Sequence, residues 1–356
     1  MRFLGMARDN FLPFVSILVL NYNNKKWLKN CLKSLASLKY PKSRYEVIMA
    51  DNGSTDDSIQ YVKKHFPWVN IVRFDKNYGF AEGNNRAARY AKGEYIAFLN
   101  PDTKVDKNWI IESVKVVHGN PKIACCGGKV LFFNQRDVIQ NAGHKFTLIG
   151  FGYPIGFGEK NCSYFEFERL TAFASGCSVI IKKETFFEVG GFDSDYFMYV
   201  EEADFGLRLW IYGYKVMYTP KAITYHALGG SFQSETIPLH VFNQHKNMLI
   251  TIMKNFELRH VFIGLFIASL YNIYKIVEFS RSKRPDFIIA LIKGDYHFLR
   301  QLPKTMTKRR IIQKNRVIRD KDLLKLGLIA NPLESIREIL RLRKLALKWD
   351  GVNHKP

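Results

Sequence analysis

An α/β fold with a mostly parallel sheet and a basic helical extension is predicted by three observations. Short β-branched runs alternate with longer segments of helical period from Val15 to about Leu131. The segments that follow those runs are polar and turn-forming, as loops at the carboxyl ends of parallel strands should be. Beyond Pro238 the chain becomes helical, basic and apolar. The expected division is therefore residues 1–240 as the α/β domain and 241–356 as a basic amphipathic helical region.

The strand candidates, in order, are "VSILVL", "YEVIMA", "VNIVRF", "YIAFLN" and "IACCGGKVLF". Between the first two, Trp27, Leu28, Cys31, Leu32, Leu35 and Leu38 recur at helical spacing, with Lys25, Lys26, Lys29 and Lys33 on the other face. Before the third, Ser54, Thr55 and Asp56 offer N-cap side chains to a helix containing Ile59, Val62 and Phe66. From Gly150 to Phe167, glycines and aromatics without a period predict loops and short strands. Next come a strand and short helix, a second helix from about Glu202 to Tyr212, a strand "KVMYT", and a last legible element, "ITYHALGGSF", Ile223 to Phe232.

Composition narrows the function classes. The chain of 356 residues carries a formal charge of +22, which predicts an anionic partner. Residues 254–356 hold 23 Lys and Arg against 9 Asp and Glu, so +14 of that charge lies in the tail. Five cysteines, at Cys31, Cys125, Cys126, Cys162 and Cys177, are odd in number, lack metal-ligand spacing and include an adjacent pair. That pattern fits free thiols in a reducing cytoplasm. The apolar run "FLPFVSILVL" has no small-residue cleavage site after it and reads as a first strand rather than a signal peptide. The glycosylation triplets at Asn52 and Asn161 read as chance matches without an export signal. No G-x-G-x-x-G follows the first strand, which disfavours a dinucleotide-dependent dehydrogenase, and "NYNNKKW" has no glycine to cradle the triphosphate of a nucleotidyltransferase.

The polar segments "NYNN", "DNGSTDDS", "DKNYGFAEGNN" and "NPDT" should open onto one edge of the sheet. Asp51, at the end of the second strand, suits either a hydrogen bond to a nucleotide base or ribose or a helix-capping turn. Amides and a ring in "NYNN" suit a base, and Gly79 and Gly83 would let backbone approach a ligand. Asp102 fits a type I turn after Pro101, or a divalent cation completed by diphosphate oxygens. In "YVEEADFGLRLW", Asp204 and Arg208 are expected to pair on the helix surface, while Glu202 points about 100° away from Glu201. His226, after a short strand, signals little alone.

Together, "VSILVLNYNNKKWLKNCLKSL", "VIMADNGSTDDS", "DKNYGFAEGNNRA", "YIAFLNPDTKV", "GCSVIIKKETFFEVGGFDSDYFMYVEEADFGLRLWIYGYKVMY" and "YHALGGSF" resemble the ordered motifs of family 2 glycosyltransferases, in the rhamnosyltransferase-like branch. The resemblance runs from about Phe14 to Phe232. It implies the GT-A nucleotide-diphospho-sugar transferase fold and an inverting, metal-dependent transfer of a sugar from a nucleoside diphosphate to an acceptor hydroxyl. It further implies that Asn21, Tyr22, Asn23, Asp51, Asn52, Asn77, Gly79 and Asn100 line the nucleotide site. Asp102 and His226 would hold a divalent metal, Mg2+ or Mn2+, and Glu202 would be the general base, with Glu201 the alternative. Two departures from the family pattern stand out: Asn100 replaces the first acid of the DXD motif, and Glu202 replaces the general-base Asp of the family's ED motif. A nucleotide-sugar-binding scaffold or sensor without turnover is the competing class.

In the tail, "VFIGLFIASLYNIYKIVEF" carries Asn272, Lys275 and Glu278, so its unbroken apolar stretch is shorter than the roughly 20 residues of a bilayer span. With "SRSKRPD" and "KTMTKRRIIQKNRVIRDKD" beside it, the segment reads as an interfacial helix on an anionic membrane surface. "PLESIREILRLRKLALKW" reads as a second amphipathic basic helix. The expected location is the cytoplasmic face of the cell membrane, the expected acceptor a glycan or lipid-linked glycan, and no nucleic-acid partner is expected because nucleic acid leaves the apolar run without a purpose.

Overall fold

Among the described residues the first four strands are parallel: β1 (Val15–Asn21), β2 (Tyr45–Asp51), β3 (Asn70–Arg73) and β4 (Tyr95–Leu99), joined by helices α1 (Lys25–Ala36), α2 (Ser58–His65) and α3 (Gly79–Ala88). They lie in the order β3-β2-β1-β4 in the computed structural model, which describes residues 12–227 and 237–350. Alternation decides where their side chains go. Ile17, Val19, Met49 and Ala97 enter one hydrophobic core, while Leu18, Ile48, Ala50 and Phe98 enter the other, so both faces are covered as a parallel sheet requires.

After β4 come β5 (Thr103–Val105), α4 (Trp109–His118), β6 (Ile123–Phe132), β7 (Ile139–Asn141), and a separate hairpin of β8 (His144–Phe146) and β9 (Gly152–Pro154). Then follow β10 (Arg169–Leu170), β11 (Ser178–Lys182), α5 (Lys183–Glu188), α6 (Glu201–Ile211) and β12 (Lys215–His226). The main sheet continues β4-β11-β6-β12-β10. β11 runs against both neighbours, and β12 returns parallel to β6. The separate pieces expected at "KVMYT" and "ITYH" are one strand with a bulge between Thr219 and Ile223. Residues 228–232, the end of "ITYHALGGSF", lie outside the described residues.

Five helices follow among the described residues: α7 (Pro238–Asn255), α8 (Leu258–Arg281), α9 (Pro285–Lys314), α10 (Asp320–Lys325) and α11 (Pro332–Asp350). The change of character at Pro238 coincides with the start of α7. That helix is nonetheless part of the body: Met248, Leu249, Ile252 and Phe256 join the same core as Leu18, Phe98 and Phe205. The five cysteines are free thiols, four of them buried.

Candidate active site

Parallel register aligns Asn21 with Asp51, the last residues of adjacent central strands. Asn21 donates through Nδ2 to Asp51 Oδ1 at 3.0 Å and to Ser54 Oγ at 3.1 Å, and the Ser54 N–H donates to Asp51 Oδ2 at 3.1 Å. Both side chains are fully buried, and Asn21 Oδ1 has no protein partner. Asn23, at φ 53°, accepts the N–H groups of Thr55 (2.8 Å) and Asp56 (3.2 Å) on Oδ1. Of this first loop, Tyr22 presents the free ring, 42% exposed. The adjoining recess of about 500 Å³ has Lys25, Lys26 and Lys29 in its wall.

These bonds alter two sequence expectations. Ser54 and Thr55 serve the first loop instead of capping α2, which begins at Ser58 with Asp56 Oδ1 accepting the Ser58 N–H at 3.1 Å. Gly79 and Gly83 approach protein, not open space. At Gly79, φ is 75° and a Cβ would fall 2.2 Å from the Phe197 carbonyl oxygen; at Gly83 it would meet Leu20 and Asn52. Asn52 ties the third loop down, donating to Asn77 Oδ1 and the Gly79 carbonyl at 3.0 Å each and accepting from the Tyr78 N–H at 3.0 Å. Asn77 Oδ1 in turn accepts the Gly79 N–H at 2.8 Å.

Asp102 lies in the turn after β4 and next to His226. The Thr103 hydroxyl donates to the Asn100 carbonyl at 2.6 Å, closing the turn, and the Asn100 N–H donates to the Cys177 carbonyl, just before β11, at 3.0 Å. β5 then pairs antiparallel with β12, with Thr103 opposite His226. That register brings together residues 124 positions apart, placing His226 Nε2 3.2 Å from Asp102 Oδ1.

Gln140 sets the chemistry of that imidazole. Its amide N–H donates to the His226 carbonyl at 3.3 Å, which turns Oε1 toward His226 Nδ1 at 2.6 Å. Nδ1 therefore donates to Gln140 Oε1, which leaves Nε2 facing Asp102. Nε2 is buried and makes no hydrogen bond. An imidazole nitrogen beside a carboxylate oxygen at this distance is a donor set that fits a divalent cation completed by phosphate oxygens.

Glu201 and Glu202 open α6, and the entry to that helix is strained. Tyr199 and Val200 are both left-handed at φ 71°, a conformation that costs a non-glycine residue about 1–3 kcal/mol and is worst for a β-branched one. Asn247 on α7 holds the turn by donating to the carbonyls of Met198 (3.0 Å) and Tyr199 (2.8 Å). Glu202 Oε1 accepts the Gly176 N–H at 2.6 Å. Burial raises Glu202 well above the ordinary carboxylate range, against the lowering effects of that N–H and of His226. Burial pushes the Cys177 thiol up, against the lowering hydrogen bond with Ser175, and the charges of Glu202 and Asp102 add to the rise. Glu201 is raised by burial and by Glu202, and its Oε2 is buried without a partner. Glu202 is the glutamate whose carboxylate meets the Gly176 N–H, one residue before the Cys177 carbonyl that accepts the Asn100 N–H.

Asp204 and Arg208 pair at 2.9 Å as the spacing predicted, but both are buried, not on the surface. The reason is Lys254 on α7, whose Nζ lies 2.7 Å from Asp204 and 2.5 Å from Asp193. Lys308 on α9 pairs with Asp193 as well. Gln140, Gly176, Asn247 and Lys254 escaped sequence reasoning because each acts on a residue at least 26 positions away.

A half-parallel, half-mixed sheet whose loop ends gather an Asn-Asp pair, a turn carboxylate, a histidine and a helix-opening acid defines the GT-A glycosyltransferase fold. Residues 16–186 match the family model Glycosyl transferase family 2. Over that segment the chain is similar to that family. The chain is 29% identical over 236 residues to O-antigen biosynthesis protein RfbC of Myxococcus xanthus, covering 64% of this chain and 18% of that one. It is 26% identical over 212 residues to poly-beta-1,6-N-acetyl-D-glucosamine synthase of Staphylococcus epidermidis, covering 59% and 48%. The chain thus spans less than half the length of either relative. Among solved structures, S. aureus TarS 1–349 in complex with UDP-GlcNAc superposes with a TM-score of 0.56 at 18% identity, over 89% of this chain and 93% of that one. Mannosyltransferase PcManGT from Pyrobaculum calidifontis, in complex with GDP-Man and Mn2+, gives 0.52 at 15% identity, over 82% and 88%. At such identity the structural likeness establishes the fold alone.

Proposed function

We propose that this chain is an inverting glycosyltransferase that moves a sugar from a nucleoside diphosphate to an acceptor hydroxyl, on a glycan or lipid-linked glycan. The observation that carries the reading is the His226 Nε2–Asp102 Oδ1 pair beside the turn after β4, together with the Glu202 carboxyl, raised by burial and held by the Gly176 N–H one residue before Cys177, whose carbonyl accepts the Asn100 N–H. Asp51, Asn21 and the Tyr22 ring form the nucleotide end, with Asn23, Asn52, Asn77 and Gly79 holding the loops around it and Asn100 leading into the turn. Asp102 Oδ1 and His226 Nε2 would hold the divalent cation, magnesium or manganese. Such a cation supplies charge stabilisation to a leaving diphosphate without proton transfer. Asn100 brings no charge of its own, so metal affinity depends strongly on bound diphosphate.

Glu202 takes the acceptor hydroxyl's proton as the oxygen attacks the anomeric carbon, a role worth about 10²- to 10⁴-fold. Attack from the face opposite the leaving diphosphate inverts the anomeric centre. The relatives named for O-antigen biosynthesis and polysaccharide synthesis support a glycan acceptor, and the neighbours bound to UDP-GlcNAc or to GDP-Man with Mn2+ support a nucleotide sugar and a divalent metal. The test is a panel of nucleotide sugars assayed for metal-dependent hydrolysis and transfer, with Glu202→Gln beside the wild type. The variant is expected to bind donor normally and to lose transfer by at least about 100-fold. Binding without turnover by the wild type would favour a sensor, and an active Glu202→Gln protein would remove Glu202 from the mechanism.

A further inference from the structure

α8 is the one helix among the described residues that is long and apolar enough to cross a bilayer, yet one side of it is committed to protein. Val261, Gly264 and Ala268 are buried. Gly264 presses so close that a Cβ there would lie 2.3 Å from the Leu148 carbonyl oxygen. Asn272 donates to Asp295 on α9 at 3.3 Å, and Asp295 also receives His245 of α7 at 2.7 Å. A helix surrounded by lipid cannot keep those contacts.

The opposite side is bare. Phe262, Phe266, Leu270, Ile273 and Val277 are exposed along α8 at steps of three and four residues, a single stripe. α9 runs back from α8, with Phe287 stacked on Phe279 at 4.9 Å, and it carries a second stripe: Ile289, Ile292, Tyr296 and Leu299. Its buried residues Phe287, Ala290, Leu291, Gly294 and Phe298 face the body instead. Residues 258–314 hold 12 Lys and Arg against 3 Asp and Glu, and Arg259, Arg281, Lys283, Lys293 and Arg300 are exposed. A second copy of the chain would bring equal positive charge to the contact. Anionic headgroups bring the complement.

We infer that α8 and α9 form a monotopic docking face: both apolar stripes enter the acyl boundary of an anionic bilayer, the basic side chains meet its phosphates, and neither helix crosses it. Lys304, five residues beyond Leu299, is tied to Asp195 in the loop that leads to Glu202. At about 1.5 Å per helical residue, the face ends some 7.5 Å along the axis from that tie.

Flotation of the full-length protein with phosphatidylcholine vesicles, with and without phosphatidylglycerol, tests this and needs no substrate, so it stands apart from the question of sugar transfer. Wild type should float with the anionic vesicles, lose most of that binding at high salt, and come off under an alkaline carbonate wash. Phe262→Glu with Phe266→Glu on α8, and separately Ile292→Glu with Leu299→Glu on α9, should each cut partitioning by about tenfold or more. Thermal melting of each variant should stay that of wild type, since the substituted side chains contact solvent. Retention through carbonate would show a span and overturn the inference, as would full binding by the α9 variant. A salt-stable dimer that ignores vesicles and is broken by the α8 variant would assign the face to a second copy instead.

Discussion

Replacing Lys254 with Met removes a buried cation while keeping most of its volume. Lys254 Nζ bridges Asp193 and Asp204 at 2.5 and 2.7 Å, with all three side chains at most 4% exposed. Removing one partner of a buried ion pair costs about 3–5 kcal/mol. Asp204 keeps Arg208 and Asn255, and Asp193 keeps Lys308, so the lower end, about 3 kcal/mol, is expected. With about 2.1 cal/mol/K of unfolding entropy per residue, that corresponds to a fall of about 4 °C in Tm. The pH dependence fixes the cause. Burial alone would raise Asp193 and Asp204, but the neighbouring cations, Lys254 first, outweigh it and hold both below the usual carboxylate range. The stability they contribute is therefore present above the unfolded value of about 3.9 and is lost as pH falls through the depressed folded values. Thermal and urea melts of the two proteins should differ fully at pH 7 and converge below about pH 4. A Lys254→Met protein within about 1 kcal/mol of wild type at pH 7, or a gap that persists undiminished in acid, would refute the argument.

Two further outcomes follow from the site. Because burial raises Glu202 and a base must be deprotonated to act, transfer should decline with falling pH along a limb well above the free-glutamate value of about 4.3; a rate that stays flat down to pH 5 would contradict this. Asp102→Ala should abolish the manganese dependence of nucleoside diphosphate binding in calorimetry, and equal affinity with and without manganese in the wild type would exclude the Asp102–His226 donor set.

The loops at the strand ends were legible because alternating buried runs and turn residues are local signals, and six ordered motifs fixed the fold. What the sequence could not show was lateral. His226 meets Asp102 only through the register of β5 against β12, and a three-residue strand carries almost no pattern of its own. Asp204 and Arg208 look like a solvated helix pair because their third partner, Lys254, lies 50 residues on in a helix that composition assigned to the tail. Gly79 and Gly83 signalled close approach correctly, but to Phe197, Leu20 and Asn52. Glu202 differs from Glu201 in meeting the Gly176 N–H, a contact 26 positions away that no local pattern could show.

The left-handed pair Tyr199–Val200 bears on how the protein can be shortened. A fragment ending at residue 240 would contain every loop motif, yet it would release the Met198 and Tyr199 carbonyls from Asn247 and leave Asp193 and Asp204 without Lys254. Asp195 would also lose Lys304 and Lys308. The shortest piece able to keep its glutamate in place runs to the end of α9, so a truncation meant to isolate the chemistry from the basic helices would remove part of what holds that chemistry together.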